Sequence, residues 1–164
     1  MVIFIKKAFS TTLVALWMIT IFAFSAQPAD ESTDTSHAVG RFIGGFVISD
    51  FEQWEPEKQE SFASQIDFSV RKISHAMEYA FLCILFFLMF HSYGVQAGRG
   101  PWWALLCTIG YSVTDEVHQL FVPGRCGRIL DVLIDGVGAA VGGCIVWIFL
   151  SFFRKKTQFT KISQ

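Results

Sequence analysis

The sequence predicts an all-α membrane protein: a polytopic helical bundle of about four transmembrane helices, with short interfacial helices in an external loop between the first two. Two observations predict it. Hydrophobic residues make up 52% of the 164-residue chain and charged residues only 16%, against roughly 25% charged in a typical soluble domain. The apolar residues also gather into four runs, each near the roughly 20 residues an α-helix needs to cross a bilayer. A water-soluble chain with a mean hydropathy of +0.45 and 18 phenylalanines would expose large apolar patches and aggregate. The length fits one domain, taken as 1–164.

The first predicted helix covers 8–26 and follows Lys6 and Lys7. Two lysines ahead of an apolar stretch, and the small-x-small pattern Ala23-Phe24-Ser25, also fit a cleaved leader. The apolar run exceeds the roughly 7–15 residue core of such leaders, so a retained helix is expected. The segment 27–72 is acidic, carrying Asp30, Glu31, Asp34, Asp50, Glu52, Glu55, Glu57, Glu60 and Asp67. Within it, 42–48 and 62–68 are apolar but too short to span, and read as interfacial or re-entrant helices. The second span is expected at 73–93 and the third at 102–122, both interrupted by charges; Trp102 and Trp103 read as interface anchors. Pro123 and Gly124 then break the helix. The fourth span, 129–153, is followed by Arg154, Lys155 and Lys156. Its Gly138 and Gly142, continued by Gly143, form a GxxxG pattern that lets a neighbouring helix come close.

Basic residues favour the cytoplasmic side, so both termini are expected in the cytoplasm and the acidic segment outside. Arg125 and Arg128 then lie on the disfavoured side, which assigns them local work in pairing or binding. Cysteine offers no guide. Cys83, Cys107 and Cys144 sit in apolar runs, Cys126 stands in a loop, and no CxxC occurs. With a net charge of -1 and no basic stripe, nucleic acid is not an expected partner.

Charge inside a bilayer costs at least about 2.5–3.5 kcal/mol per group at mid-span, so its distribution is informative. His75 and Glu78 share a face of the second helix. Asp115, His118 and Gln119 share a face of the third, with Glu116 about 100° away. Asp131 and Asp135 stack one turn apart on the fourth. At 1.5 Å per residue, Glu78, Asp115 and Asp135 lie about 10 Å inside the external end, and His75, His118 and Asp131 about 3–6 Å inside. Ser25 and Gln27 leave the first helix at the same level.

Four readings compete for this layer. Paired side chains fix helix register; a metal site forms, since two histidines and several carboxylates suit zinc or manganese, although no HExxH occurs; a carboxylate–histidine set performs acid–base chemistry on a lipid-linked substrate; or Arg125 and Arg128 hold an anionic head group. The combined expectation is an outward pocket that binds or modifies a membrane lipid or lipid-linked precursor. Arg125 is its anion contact, with Gln119, Asp131 and Asp135 also binding. His118 and Glu78 are the expected proton-handling pair, His75 and Glu116 complete the reactive set, and Asp115 and Asp131 orient it or hold a cation. The sequence specifies no cofactor. A scaffold whose polar layer only fixes packing, and a proton-coupled carrier, are the alternatives.

These residues also carry a family likeness. Phe24-Ser25-Ala26-Gln27 leaves the first helix, and Arg71-Lys72-Ile73-Ser74-His75-Ala76-Met77-Glu78-Tyr79 opens the second. Thr114-Asp115-Glu116-Val117-His118-Gln119-Leu120-Phe121-Val122-Pro123-Gly124-Arg125 closes the third, and Asp131, Asp135 and Gly138 follow. In these motifs the chain resembles the VanZ-like family, from about Trp17 onward. The resemblance implies a bacterial plasma-membrane protein of the cell envelope, in a family named for tolerance to the glycopeptide teicoplanin. It implies no particular reaction.

Overall fold

The computed structural model describes the backbone of residues 1–96 and 98–162. Five helices follow one another: α1 (Val2–Ser25), α2 (Ala29–Val47), α3 (Pro56–Ser92), α4 (Gly100–Gln119) and α5 (Ile129–Ile162). A 3-10 turn, Phe51–Gln53, joins α2 to α3, and no strand occurs among the described residues.

α1 is apolar almost all round. Its Val14 and Ile21 are buried while Phe4, Leu16 and Ile19 face outward, the arrangement of a helix in contact with both protein and lipid. α2 is different. Asp30 and Glu31 in its first turn complement the positive end of the helix dipole. Ser32, Ser36, Gly40 and Gly44 line up at four-residue spacing and are buried, so α2 lies close along α3 on a stripe of small side chains. On its other face Phe42 and Phe46 are 76% and 87% exposed, as suits a helix resting at the bilayer surface.

α3 holds the main difference from the sequence expectation. The apolar patch 62–68 is not a separate helix but the leading part of one 37-residue helix that starts at Pro56. Proline is pre-organised for a first helical turn, and after it neither glycine nor proline occurs before Ser92. The charged residues of 57–72 are compatible with this helix because they precede the membrane-length apolar stretch that begins at Ile73. At 1.5 Å per residue α3 is about 55 Å long, well beyond the roughly 30 Å hydrocarbon core.

α3 packs against α1, α2, α4 and α5, so the core forms around it from Tyr79, Leu82, Cys83 and Phe87, with Ala104 of α4 and Ala139 of α5. α3 and α5 run parallel along a seam of small residues. A Cβ placed on Gly138 would lie 2.1 Å from the carbonyl oxygen of Ala76, and one on Gly142 would lie 2.2 Å from that of Ala80. The glycine pattern therefore does the packing work its spacing implies. α1 is fastened at two levels. Ser10 and Ser92 hydroxyls are 2.8 Å apart at one end; further along, the Trp17 indole donates to the Glu78 carbonyl at 3.0 Å and the Tyr111 hydroxyl to the Met18 carbonyl at 2.6 Å.

Among the described residues, three segments are long and apolar enough to cross a membrane: Ile3–Ser25, Pro56–Ser92 and Ile129–Leu150. α4 has the length, 20 residues, but its polar final turns keep it less apolar than the other three. α5 continues past the expected 153 to Ile162.

Candidate functional site

The end of α1, the middle of α3, the last turns of α4, the loop 120–128 and the start of α5 meet at one end of the bundle. Arg125 ties them together. Its Nε donates to the Gln27 carbonyl at 3.1 Å and its second guanidinium nitrogen to the Phe24 carbonyl at 3.3 Å. Carbonyls at a helix C-terminus have no partner within the helix and carry its negative dipole end, so a guanidinium satisfies them well. The loop reaches this point through Gly124, whose φ of 73° suits glycine. Arg125 is therefore partly spent on architecture. Arg125→Gln is expected to lower stability by about 2 kcal/mol, the scale of charge-assisted hydrogen bonds, read as a drop in the thermal midpoint of purified protein; an unchanged midpoint would reject the clamp.

Glu116, expected on a different face from Asp115, is also buried and used locally: its carboxylate accepts the Arg128 backbone N–H at 2.8 Å, fixing the loop before α5. Gln119 and Asp115 are buried together, with the amide nitrogen 3.5 Å from a carboxylate oxygen. Lys72 of α3 forms an ion pair with Asp131 of α5. Deeper, Ser112 donates to Asp135 at 2.6 Å, and the other Asp135 oxygen lies 3.8 Å from Nδ1 of His75. Asp135 is 1% exposed, so helices α3, α4 and α5 converge on one carboxylate.

The expected pairing of His118 with Glu78 is not formed. His118 stacks on Phe22 of α1 with ring centroids 4.4 Å apart, and among the described residues no hydrogen bond or ion pair joins it to Glu78. Within this layer, the imidazole that lies beside a carboxylate is His75, next to Asp135.

Two cavities open here, the first walled mainly by apolar surface with polar groups among it and the second mainly polar. One, of about 200 Å³, is lined by Ser25, Gln27, Ser36, Ser74 and Glu78. The other, of about 230 Å³, is lined by Asp67, Lys72, Gln119, Cys126, Arg128 and Asp131. Arg71, His75 and Arg125 border both. In the second cavity four cations (Arg71, Lys72, Arg125 and Arg128) face two carboxylates. Lys72 is paired with Asp131, and Arg71 stands 3.8 Å from Asp67; Asp67 also accepts the Ser36 hydroxyl of α2. The Arg128 guanidinium has no hydrogen bond or ion pair among the described residues. Burial first, and then Arg71, lower the pKa of Arg125, while Asp115 and Glu116 act the other way. Arginine stays charged regardless, so the cavity holds positive charge at some electrostatic cost, and an anion would relieve it.

Arg71, Lys72 and Ser112 were not singled out from sequence as site residues. Arg71 and Lys72 open the second-helix motif, and Ser112 lies one turn before Asp115, so the signal was present but read as flanking polarity. Among the described residues, no three His, Cys, Asp or Glu side chains are arranged to hold a metal ion.

The VanZ/LLP1 family profile matches residues 10–151. No curated protein and no solved structure matches the chain.

Proposed function

The chain belongs to the VanZ/LLP1 family, and from that premise we propose that it is a bacterial plasma-membrane protein that binds an anionic envelope component at the external end of its bundle. The observation that carries the reading is the second cavity, where four cations from α3 and the 120–128 loop face two carboxylates. Arg71 and Arg128 are the principal anion contacts, with the exposed part of Arg125 beside them. Gln119 and Asp131 position these groups, and Asp135 braces His75 from below.

This orientation takes α4 as a fourth span. Tyr93, just before α4, meets Thr11 of α1 at 3.2 Å, and Arg125, just after α4, meets Gln27 at the other end of α1. α4 thus traverses about the same thickness as α1. Lys6 and Lys7 then face the cytoplasm and the acidic segment faces outward. Arg154, Lys155 and Lys156, the other topogenic cluster, lie outside the residues whose side chains are described. The single-domain reading accords with α3 touching every other helix.

A second reading has its own support. His75 borders both cavities and lies beside Asp135, which Ser112 orients. That set handles a proton on the bound component, with Glu78 of the neighbouring cavity as its counterpart, in the manner of general acid–base catalysis. The link to teicoplanin tolerance belongs to the same proposal.

Purified full-length protein, analysed by mass spectrometry for what copurifies, tests the binding reading. An anionic envelope component is expected with the native chain and at least tenfold less with Arg71→Gln/Arg128→Gln at equal thermal stability. Equal recovery from both would end the reading.

A further inference from the structure

A further cavity at this end, larger than the two above, is almost wholly apolar. A groove of about 380 Å³ lies between α3 and α5, lined by Phe68, Ala76, Leu130, Leu133, Ile134 and Val137. Its mouth is shared with the cationic cavity, because Phe68, Lys72, Arg128 and Asp131 border both. From that mouth it descends along two parallel helices, from Phe68 to Ala76 on α3 and from Leu130 to Val137 on α5. At 1.5 Å per residue the descent is about 10–12 Å. Leu130, Leu133 and Val137 are 67%, 59% and 65% exposed, so one side of the groove opens outward from the bundle, where lipid would lie. A cationic head pocket that continues into an apolar channel fits an amphiphile whose charge is at one end.

The charge balance narrows the head group. Among the lining side chains four cations against two carboxylates leave an excess of two positive charges, part of which the buried Asp115 and Glu116 behind Arg125 offset. A phosphomonoester carries about -1.5 to -2 near neutral pH and three acceptor oxygens, which suits planar guanidinium donors. A phosphodiester head group supplies half that charge, and a neutral one supplies none.

We propose that the site takes a phosphomonoester lipid from the surrounding bilayer, its phosphate in the cationic cavity and its hydrocarbon tail in the α3–α5 groove. This rests on the anion-binding reading above and adds the tail and the lateral route. Lys72 and Arg128 stand at the junction: each lends its stem to the apolar wall and its charged head to the phosphate. The Lys72–Asp131 pair sets how far Lys72 reaches.

Full-length protein in detergent, titrated with dioleoyl phosphatidate, dioleoylglycerol and glycerol 3-phosphate, separates the parts. Native mass spectrometry is expected to show phosphatidate bound at least tenfold more tightly than either dioleoylglycerol or glycerol 3-phosphate. Val137→Trp, which fills the groove, should remove that advantage and leave glycerol 3-phosphate binding unchanged. Leu133→Trp serves the same purpose if the first variant is poorly folded. Equal affinity for phosphatidate and glycerol 3-phosphate, or full phosphatidate binding in both groove variants, overturns the tail assignment and leaves anion binding standing. Equal affinity for phosphatidate and dioleoylglycerol overturns the phosphate assignment. If neither phosphate compound binds, the anion-binding reading fails and this inference fails with it.

Discussion

Gly138→Leu is expected to leave little folded protein. The nearest atom to its new Cβ is the backbone carbonyl oxygen of Ala76, at 2.1 Å, and a backbone atom in the middle of a helix cannot swing aside as a side chain would. Relief requires α3 and α5 to separate, which pulls apart the largest helix contact in the bundle and the convergence on Asp135. Overpacking a core costs about 1–3 kcal/mol even where side chains can yield, so about 3 kcal/mol is a lower bound here. At roughly 2–4 °C per kcal/mol for a chain of this size, the thermal midpoint falls by about 6–12 °C, or the protein is lost before purification. Gly110→Ala is the control. It lies within α4 with nothing within 4 Å of its added Cβ, and relief from glycine's low helix propensity makes it neutral or more stable by up to about 1 kcal/mol. Equal midpoints for Gly138→Leu and the native chain would refute the seam.

The second large effect comes from splitting the ion pair between Lys72 and Asp131, whose side chains are only 22% and 17% exposed. Lys72→Met leaves a carboxylate with little water and no partner, and Asp131→Leu leaves an ammonium in the same position. Removing one member of a buried pair costs about 3–5 kcal/mol; the partial exposure here puts the expectation near about 3 kcal/mol. The double variant Lys72→Met/Asp131→Leu should recover most of that loss, since apolar side chains of similar volume suit a groove already lined by Leu133 and Ile134. Thermal midpoints of the four proteins form a cycle whose coupling term is diagnostic. Simple additivity of the two single losses would mean that the pair contributes nothing across α3 and α5.

The bundle was legible in the sequence because apolar length and glycine spacing are one-dimensional signals. Runs of about 20 residues gave α1, α5 and the inner part of α3, and the GxxxG pattern gave the seam. The layer of acids and imidazoles was legible in depth for the same reason. Its pairings were not. Depth follows from counting residues, whereas pairing depends on how each helix is rotated about its axis. That rotation is set by Ala76 against Gly138 and by Trp17 against the Glu78 carbonyl, contacts between distant parts of the chain. His118 therefore met Phe22 rather than Glu78. Arg125 was correctly marked as having local work, but its two carbonyl partners on α1 follow from the loop's path and not from its own sequence neighbourhood. The continuous α3 was missed because 62–68 was judged by its own length, too short to span, although no glycine or proline separates it from the span that follows.

That unbroken α3 also carries α2 on the turns that extend beyond its apolar stretch. Its outer turns are a mast to which α2 is lashed by Ser36 on Asp67, and by His37 and Arg41 on Glu60. On the proposal above, a ligand confined to the plane of the bilayer would enter sideways, through the groove between α3 and α5.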